Sequence, residues 1–233
     1  MTPRLLVAHL GVVPYAEALE LQRSVAAARI SGEIPEDVLI LLEHPPVVTL
    51  GRASRAAHLV SSPDFLASRG VELFEVERGG DVTFHGPGQL VGYPVIDLKR
   101  HRQDLHWYLR QVEEVLILTL SALAIKAERK TGYTGVWTSG RKIASIGVHT
   151  RNWVTWHGFA LNVTTDLSYF DLIVPCGISG VQMTSVQREG AVLRDSPLQH
   201  VAALVVDSFA SAFQLEPAAV EPVELRGMQP AAS

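Results

Sequence analysis

The sequence predicts one α/β domain built on a mixed, largely antiparallel sheet flanked by helices. Three observations lead there. At 233 residues the chain is long enough to bury a sizeable core and sits at the upper end of a single α/β domain. Apolar residues make up 47% and charged residues 19%, the proportions of a globular protein. Strand-like runs come before, between and after helical ones without a regular βαβ alternation, which disfavours a doubly wound parallel sheet. Residues 1–215 read as one domain and 216–233 as a Pro/Ala-rich tail open to disorder.

Pro14 opens a helix in which Ala18, Leu21, Val25 and Ala28 recur at spacings of three or four, and Gly32 closes it. Residues 38–43 and 47–51 are apolar runs split by Pro45-Pro46, two strands around a tight corner. Residues 63–70 form a short helix with a glycine stop. Across 71–98, β-rich runs alternate with Gly79-Gly80 and Gly86-Pro87-Gly88, so strands and sharp turns are expected. Asp104 caps a second long helix that sends Leu105, Tyr108, Leu109, Val112, Leu116 and Leu120 to the core. After a turn at Ser139-Gly140, residues 142–150 and 154–163 form a β-hairpin turning at Arg151-Asn152. A loop over 173–180 precedes a last helix over 197–213.

Composition excludes several classes of function. A net charge of -4, with basic residues scattered in ones and twos, gives no positive field for nucleic acid or anionic lipid. The longest apolar stretch, near 115–125, is broken by Thr119 and Ser121 and is too short to span a bilayer. The first residues place His9 inside their apolar run and lack a cleavage signal, so a cytoplasmic protein is expected. No tight histidine spacing marks a zinc site, and no metal or cofactor is expected. Gly86 to Gly92 superficially resembles a dinucleotide fingerprint, but its spacing is wrong and Pro87 removes an amide that phosphate would need. Gly135 to Lys142 imitates a phosphate loop, but Arg141 intrudes and no Ser or Thr follows the lysine.

One cysteine cannot form an internal disulfide, so Cys176 is either a buried small hydrophobe or a reactive thiol. Pro175 before it and Gly177 after it force an irregular backbone that exposes a side chain and leaves amides free for a developing oxyanion. A free thiol is only a few per cent thiolate at neutral pH, so a nucleophile needs a base or a positive charge nearby. Lys142, His85 and His157 are the candidates. Strand alternation puts Lys142 on one face with Ala144, Ile146 and Val148, where partial desolvation would suit it to proton exchange. As a first strand residue it could equally extend into solvent, and spacing alone leaves both readings open.

The segments RGGDVTFHGPGQLVGYPVIDL (78–98), GVW (135–137), KIASIGV (142–148), HGFALNV (157–163) and IVPCGIS (173–179) together resemble the lipoyl(octanoyl) transferase family in order and spacing. LLEHPPVVTLGR (41–52) resembles that family's earlier strand pair, so the likeness covers roughly residues 4–190. The resemblance implies the fold of biotin and lipoate protein ligases, with Cys176 as acyl-thioester nucleophile and Lys142 as its partner. It places acyl-substrate contacts on Arg78, Gly79, Gly80, Asp81, Val82, Thr83, Phe84 and His85, on Ser145, Ile146 and Gly147, and on Gly158, Phe159 and Ala160. Ser145 stands where the family usually has alanine. The glycines would clear a narrow apolar tunnel, with Phe84, Ile146 and Phe159 as walls. The implied partners are octanoyl-acyl carrier protein as donor and lipoyl domains of lipoate-dependent enzymes as acceptors, received on a local basic patch of Arg52, Arg78 and Arg141. An ATP-dependent lipoate or biotin ligase and a non-catalytic acyl-binding protein are the alternatives.

Overall fold

In the computed structural model, which describes residues 2–178 and 180–227, strand β1 (Arg4–Val12) leads into helix α1 (Tyr15–Ser31). Pro14 sits at the helix N-cap and Gly32 ends it in the left-handed conformation, φ 87°, donating its amide to Ala28 O. β2 (Asp37–Glu43) and β3 (Val47–Leu50) follow around the double-proline corner. Helix α2 (Pro63–Ser68), capped by the Ser62 hydroxyl, leads to β4 (Glu72–Glu75), β5 (Val82–His85) and β6 (Gln89–Val95). Asp104 caps α3 (Leu105–Ala122) by accepting from the Trp107 amide. β7 (Val136–Thr138), β8 (Arg141–Arg151) and β9 (Val154–Asn162) then run as a meander. Helix α4 (Pro197–Phe213), β10 (Glu216–Ala219) and α5 (Pro222–Gly227) end the described chain.

The large sheet has the order β10-β1-β2-β6-β9-β8-β7 among the described residues, and the smaller one is β4-β3-β5. β1 pairs parallel with both β10 and β2, whereas every other pair of the large sheet is antiparallel. This is the mixed, largely antiparallel sheet expected from the irregular order of strands and helices. Strand alternation sends Leu39 and Leu41 to one face, under α3 and α4, and Val38, Ile40 and Leu42 to the other, under α1. Both faces of β2 are therefore covered, which is why it reads as an unbroken apolar run. The small sheet has its own core of Val48, Leu66, Val82, Phe84 and Phe170.

Three features differ from the sequence reading. β1, β7 and β10 were not anticipated: Gly11 breaks the pattern in β1, β7 is three residues long, and Glu-Pro-Ala-Ala in β10 has poor strand propensity and forms only by pairing with β1. Where a tail was expected from Glu216, the chain continues as β10 and α5, and Leu225 is fully buried; residues from 228 onward lie outside the described ones. The hairpin turns at Asn152-Trp153, one residue late, because Arg151 still pairs with Val154. Both turn residues are left-handed, at φ 50° and 64°, the conformation that matches the twist of a two-residue hairpin.

Candidate active site

Cys176 occupies the middle of a tight turn, Pro175–Gly177, with φ 57° and ψ 19°. That left-handed conformation is uncommon outside glycine and lifts the side chain off the loop. Lys142 Nζ lies 3.0 Å from its sulfur and 3.3 Å from Thr134 O, and it sits 4.9 Å above the Trp137 ring centroid. Lys142 is 1% exposed, so its amine meets the sulfur out of bulk water rather than extending into solvent. The Ser145 hydroxyl approaches the same sulfur at 3.8 Å. The amides of Gly177 and Ile178 are not free for an oxyanion as the sequence suggested: they donate to Val174 O and Pro175 O, closing the turn.

A β-bulge aims the lysine. Val136 of β7 pairs with Ala144 of β8, yet the next residue, Trp137, pairs with Lys142, so Ile143 is extra. Simple alternation would put Lys142 with Ala144 and Val148. Instead Ile143, Ala144 and Val148 enter the main core, while Lys142 and Ser145 both reach Cys176. Residues 182–184 hold the start of β8 from outside, through Lys142 N to Gln182 O at 2.8 Å and Thr184 N to Lys142 O at 2.9 Å.

A cavity of about 360 Å³ opens from this pair, a size suited to a small ligand. Of the expected contacts, Arg78, Gly80, Asp81, Thr83, His85, Ser145, Ile146, Gly147, Gly158, Phe159 and Ala160 line it. Gly79, Val82 and Phe84 do not. Alternation along β5 turns Thr83 and His85 to the cavity and buries Val82 and Phe84 in the small core, where Phe84 stacks on Tyr169 at 4.6 Å. Two of the glycines serve close packing rather than a clear tunnel. A Cβ on Gly158 would stand 2.2 Å from Gly92 O, and one on Gly147 would stand 2.8 Å from Gly79 O.

The buried end of the cavity is more polar than expected, because Tyr15, Tyr93 and His157 also line it. His157 was among the candidate bases, whereas Tyr15 and Tyr93 come from distant segments and no local pattern marks them. His85 Nδ1 pairs with Gln89 Oε1 at 2.8 Å, and burial holds its pKa well below the usual value. Behind it, His44 Nε2 pairs with the Tyr93 hydroxyl at 2.7 Å, and burial lowers His44 to about 4. Burial also lowers His157 and raises Tyr15 to about 12. Glu77 is held well below the carboxylate range, chiefly by His157 and then by Arg23 and Trp156, against its own burial. All three histidines are therefore neutral at pH 7, and Arg78 carries the fixed positive charge at this end. Arg78 is 7% exposed and donates to Thr49 Oγ1 and Thr49 O, so it is no part of a surface patch. Arg141 is engaged by Glu189 at 2.9 Å, which leaves Arg52 exposed among the three arginines proposed to receive partners.

Among the described residues, no helix is long and apolar enough to cross a membrane. The sequence profile of the lipoyl protein ligase A/B catalytic domain matches residues 14–210. The chain is 49% identical over 220 residues to an octanoyltransferase of Gloeobacter violaceus, covering 94% of this chain and 95% of that protein. It is 53% identical over 201 residues to an octanoyltransferase of Rubrobacter xylanophilus, covering 85% and 89%. In fold it is similar to a putative lipoate protein ligase of T. acidophilum solved with bound lipoic acid, at TM-score 0.75 and 17% identity over 98% of this chain and 93% of that one. A biotin protein ligase of Leishmania major follows at TM-score 0.51 and 10% identity, over 97% of this chain and 80% of that one.

Proposed function

Since this chain belongs to the lipoyl protein ligase A/B catalytic domain family, and half its residues match octanoyltransferases along nearly its whole length, we propose that it transfers an octanoyl group by way of a Cys176 thioester. The chain is an acyltransferase of protein lipoylation. The observation that carries the proposed mechanism is the 3.0 Å contact between Lys142 Nζ and Cys176 Sγ.

In the first half-reaction the Cys176 thiolate attacks the thioester carbonyl of octanoyl-acyl carrier protein. Lys142 donates its proton to the departing carrier thiol, leaving an acyl-enzyme. In the second, the lysine of a lipoyl domain attacks that thioester, the C–N bond forms and the C–S bond breaks. Lys142 recovers one of the amine's protons as the cysteine leaves. A thioester lies above an amide in free energy, so no ATP enters. The acyl tail lies along Ile146, Phe159 and Ala160, with Arg78, Thr83 and His85 on the facing side. The docked acceptor domain covers the part-exposed Cys176 and keeps water from competing with the acceptor amine. A reducing compartment, the cytoplasm, keeps the thiol free.

Incubation with octanoyl-acyl carrier protein without ATP, read by intact mass, tests the reading. An octanoyl adduct on the wild type and none on Cys176→Ser supports it. An adduct only with free octanoate and ATP would favour a ligase, and no adduct under any condition a binding protein.

A further inference from the structure

The two-step chemistry leaves one proton without a destination. An acceptor lysine arrives as an ammonium and loses two protons on becoming an amide nitrogen, whereas Lys142 has room for one. A second ionisable pair stands in the same place. His58, on a short 3₁₀ turn (Ala56–His58), holds Asp81 through Nδ1 to Oδ2 at 2.7 Å, and Asp81 lines the cavity beside Cys176. The other carboxylate oxygen accepts the Val82 amide at 2.7 Å. A Cβ placed on Gly177 would lie 2.5 Å from Asp81 Oδ2 and 2.9 Å from His58 Cε1, so the pair abuts the peptide that follows the nucleophile. His58 O also accepts the Val174 amide at 2.7 Å, fixing the imidazole to the base of the cysteine loop. The pair is neither sealed nor open: the side chains keep 21% and 10% of their surface in solvent.

We propose that Asp81, held by His58, receives the incoming lysine ammonium and takes its first proton. This role rests on the two-step reading above. The ammonium donates to the spare lone pairs of the Asp81 carboxylate, and one N–H proton passes to the Asp81–His58 pair and on to water at the part-exposed imidazole. The free amine then attacks the thioester carbon. Lys142 takes the second proton from nitrogen as the C–S bond breaks, and Cys176 is left as thiolate. Over both half-reactions the sum is a carrier thioester plus an ammonium giving an amide, the carrier thiol and one released proton, with Cys176 returned as thiolate and Lys142 as ammonium. The other charged or ionisable groups lining this cavity are Arg78, Lys142, Cys176, His85, His157 and the three tyrosines Tyr15, Tyr93 and Tyr133.

Asp81→Asn keeps the shape and loses the base. Asp81 also lines the cavity that receives the acyl group, so with octanoyl-acyl carrier protein as donor, formation of the acyl-enzyme is expected to slow as well, but by a factor at least about tenfold smaller than the loss in transfer. Single-turnover transfer from the isolated acyl-enzyme to a lipoyl domain is expected to slow on the order of 10²-fold. The deficit should shrink as pH rises from about 7 to about 9, because more of the acceptor lysine, of ordinary pKa ~10.4, is then already unprotonated. Asp81→Glu should recover part of the rate, and His58→Asn should reproduce the pattern more weakly. Equal loss in both half-reactions, a deficit that does not change with pH, or no deficit would overturn the proposal. Failure of the wild type to form an acyl-enzyme at all would instead remove the two-step reading beneath it.

Discussion

Lys142→Ala deletes the amine that touches the sulfur, and overall transfer is expected to fall on the order of 10²-fold or more, measured as octanoylated lipoyl domain formed per enzyme. Near-normal turnover would reject its role as proton partner. Cys176→Ser should leave no acyl-enzyme by intact mass. His44 makes a prediction about stability instead. Burial lowers the folded histidine to about 4 from 6.5, so the unfolded chain takes up a proton that the folded one refuses. Stability from this group is complete above pH 6.5 and drains away as pH falls toward 4, by up to about 3 kcal/mol. Urea unfolding at successive pH values checks this, and His44→Asn should flatten the slope over that window. At this scale the sequence marked Cys176 by its Pro and Gly neighbours, but it left Lys142 undecided until the family likeness was considered. Tyr15, Tyr93 and the network behind His85 were not legible, because the contacts that make them a site join segments far apart in the chain.

Helices were the easiest elements to read: Pro14 and Gly32 bracket α1, Asp104 caps α3 by accepting from the Trp107 amide, and Pro197 stands at the start of α4. Strand faces were harder. β2 was legible as an apolar run, though not which residue faces which side, and alternation assigned Lys142 the wrong neighbours in β8. Nothing in Lys-Ile-Ala-Ser announces an extra residue, because a bulge is set by the partner strand rather than by local propensity. Glycines carry a related lesson: their positions were read as clearance for a ligand, whereas Gly158 yields to the neighbouring backbone of β6. Gly158→Ala should therefore cost at least about 2–3 kcal/mol in urea unfolding, since the methyl has backbone rather than a movable side chain in its way. A cost below about 0.5 kcal/mol would mean that β6 and β9 slide apart easily.

The whole molecule closes on itself through its last strand. β10 returns from α4 to cover β1, and Leu225 of α5 packs with the α1 side of the sheet. Ending the chain at residue 215 would uncover the unpaired edge of β1 and expose the cluster beneath α5. Such a variant is expected to self-associate, visible as a concentration-dependent mass in light scattering, while the full chain stays unchanged over the same range. The mixed sheet was readable from the irregular order of strands and helices. The parallel closure by β10 was not, because it depends on a partner at the opposite end of the sequence.

Gly79 donates its amide to Val148 O at 2.8 Å, and Gly147 beneath it has no side chain, so the loop entering the small sheet rests directly on the large one. That stitch works as a fixed calliper. The spacing of the two sheets beside the proposed acyl cavity is held there by backbone touching backbone, and a methyl at position 147, 2.8 Å from Gly79 O, would push them apart. Gly147→Ala should then blur discrimination among chain lengths in a competition between octanoyl and decanoyl donors, even where the rate with either donor alone changes little.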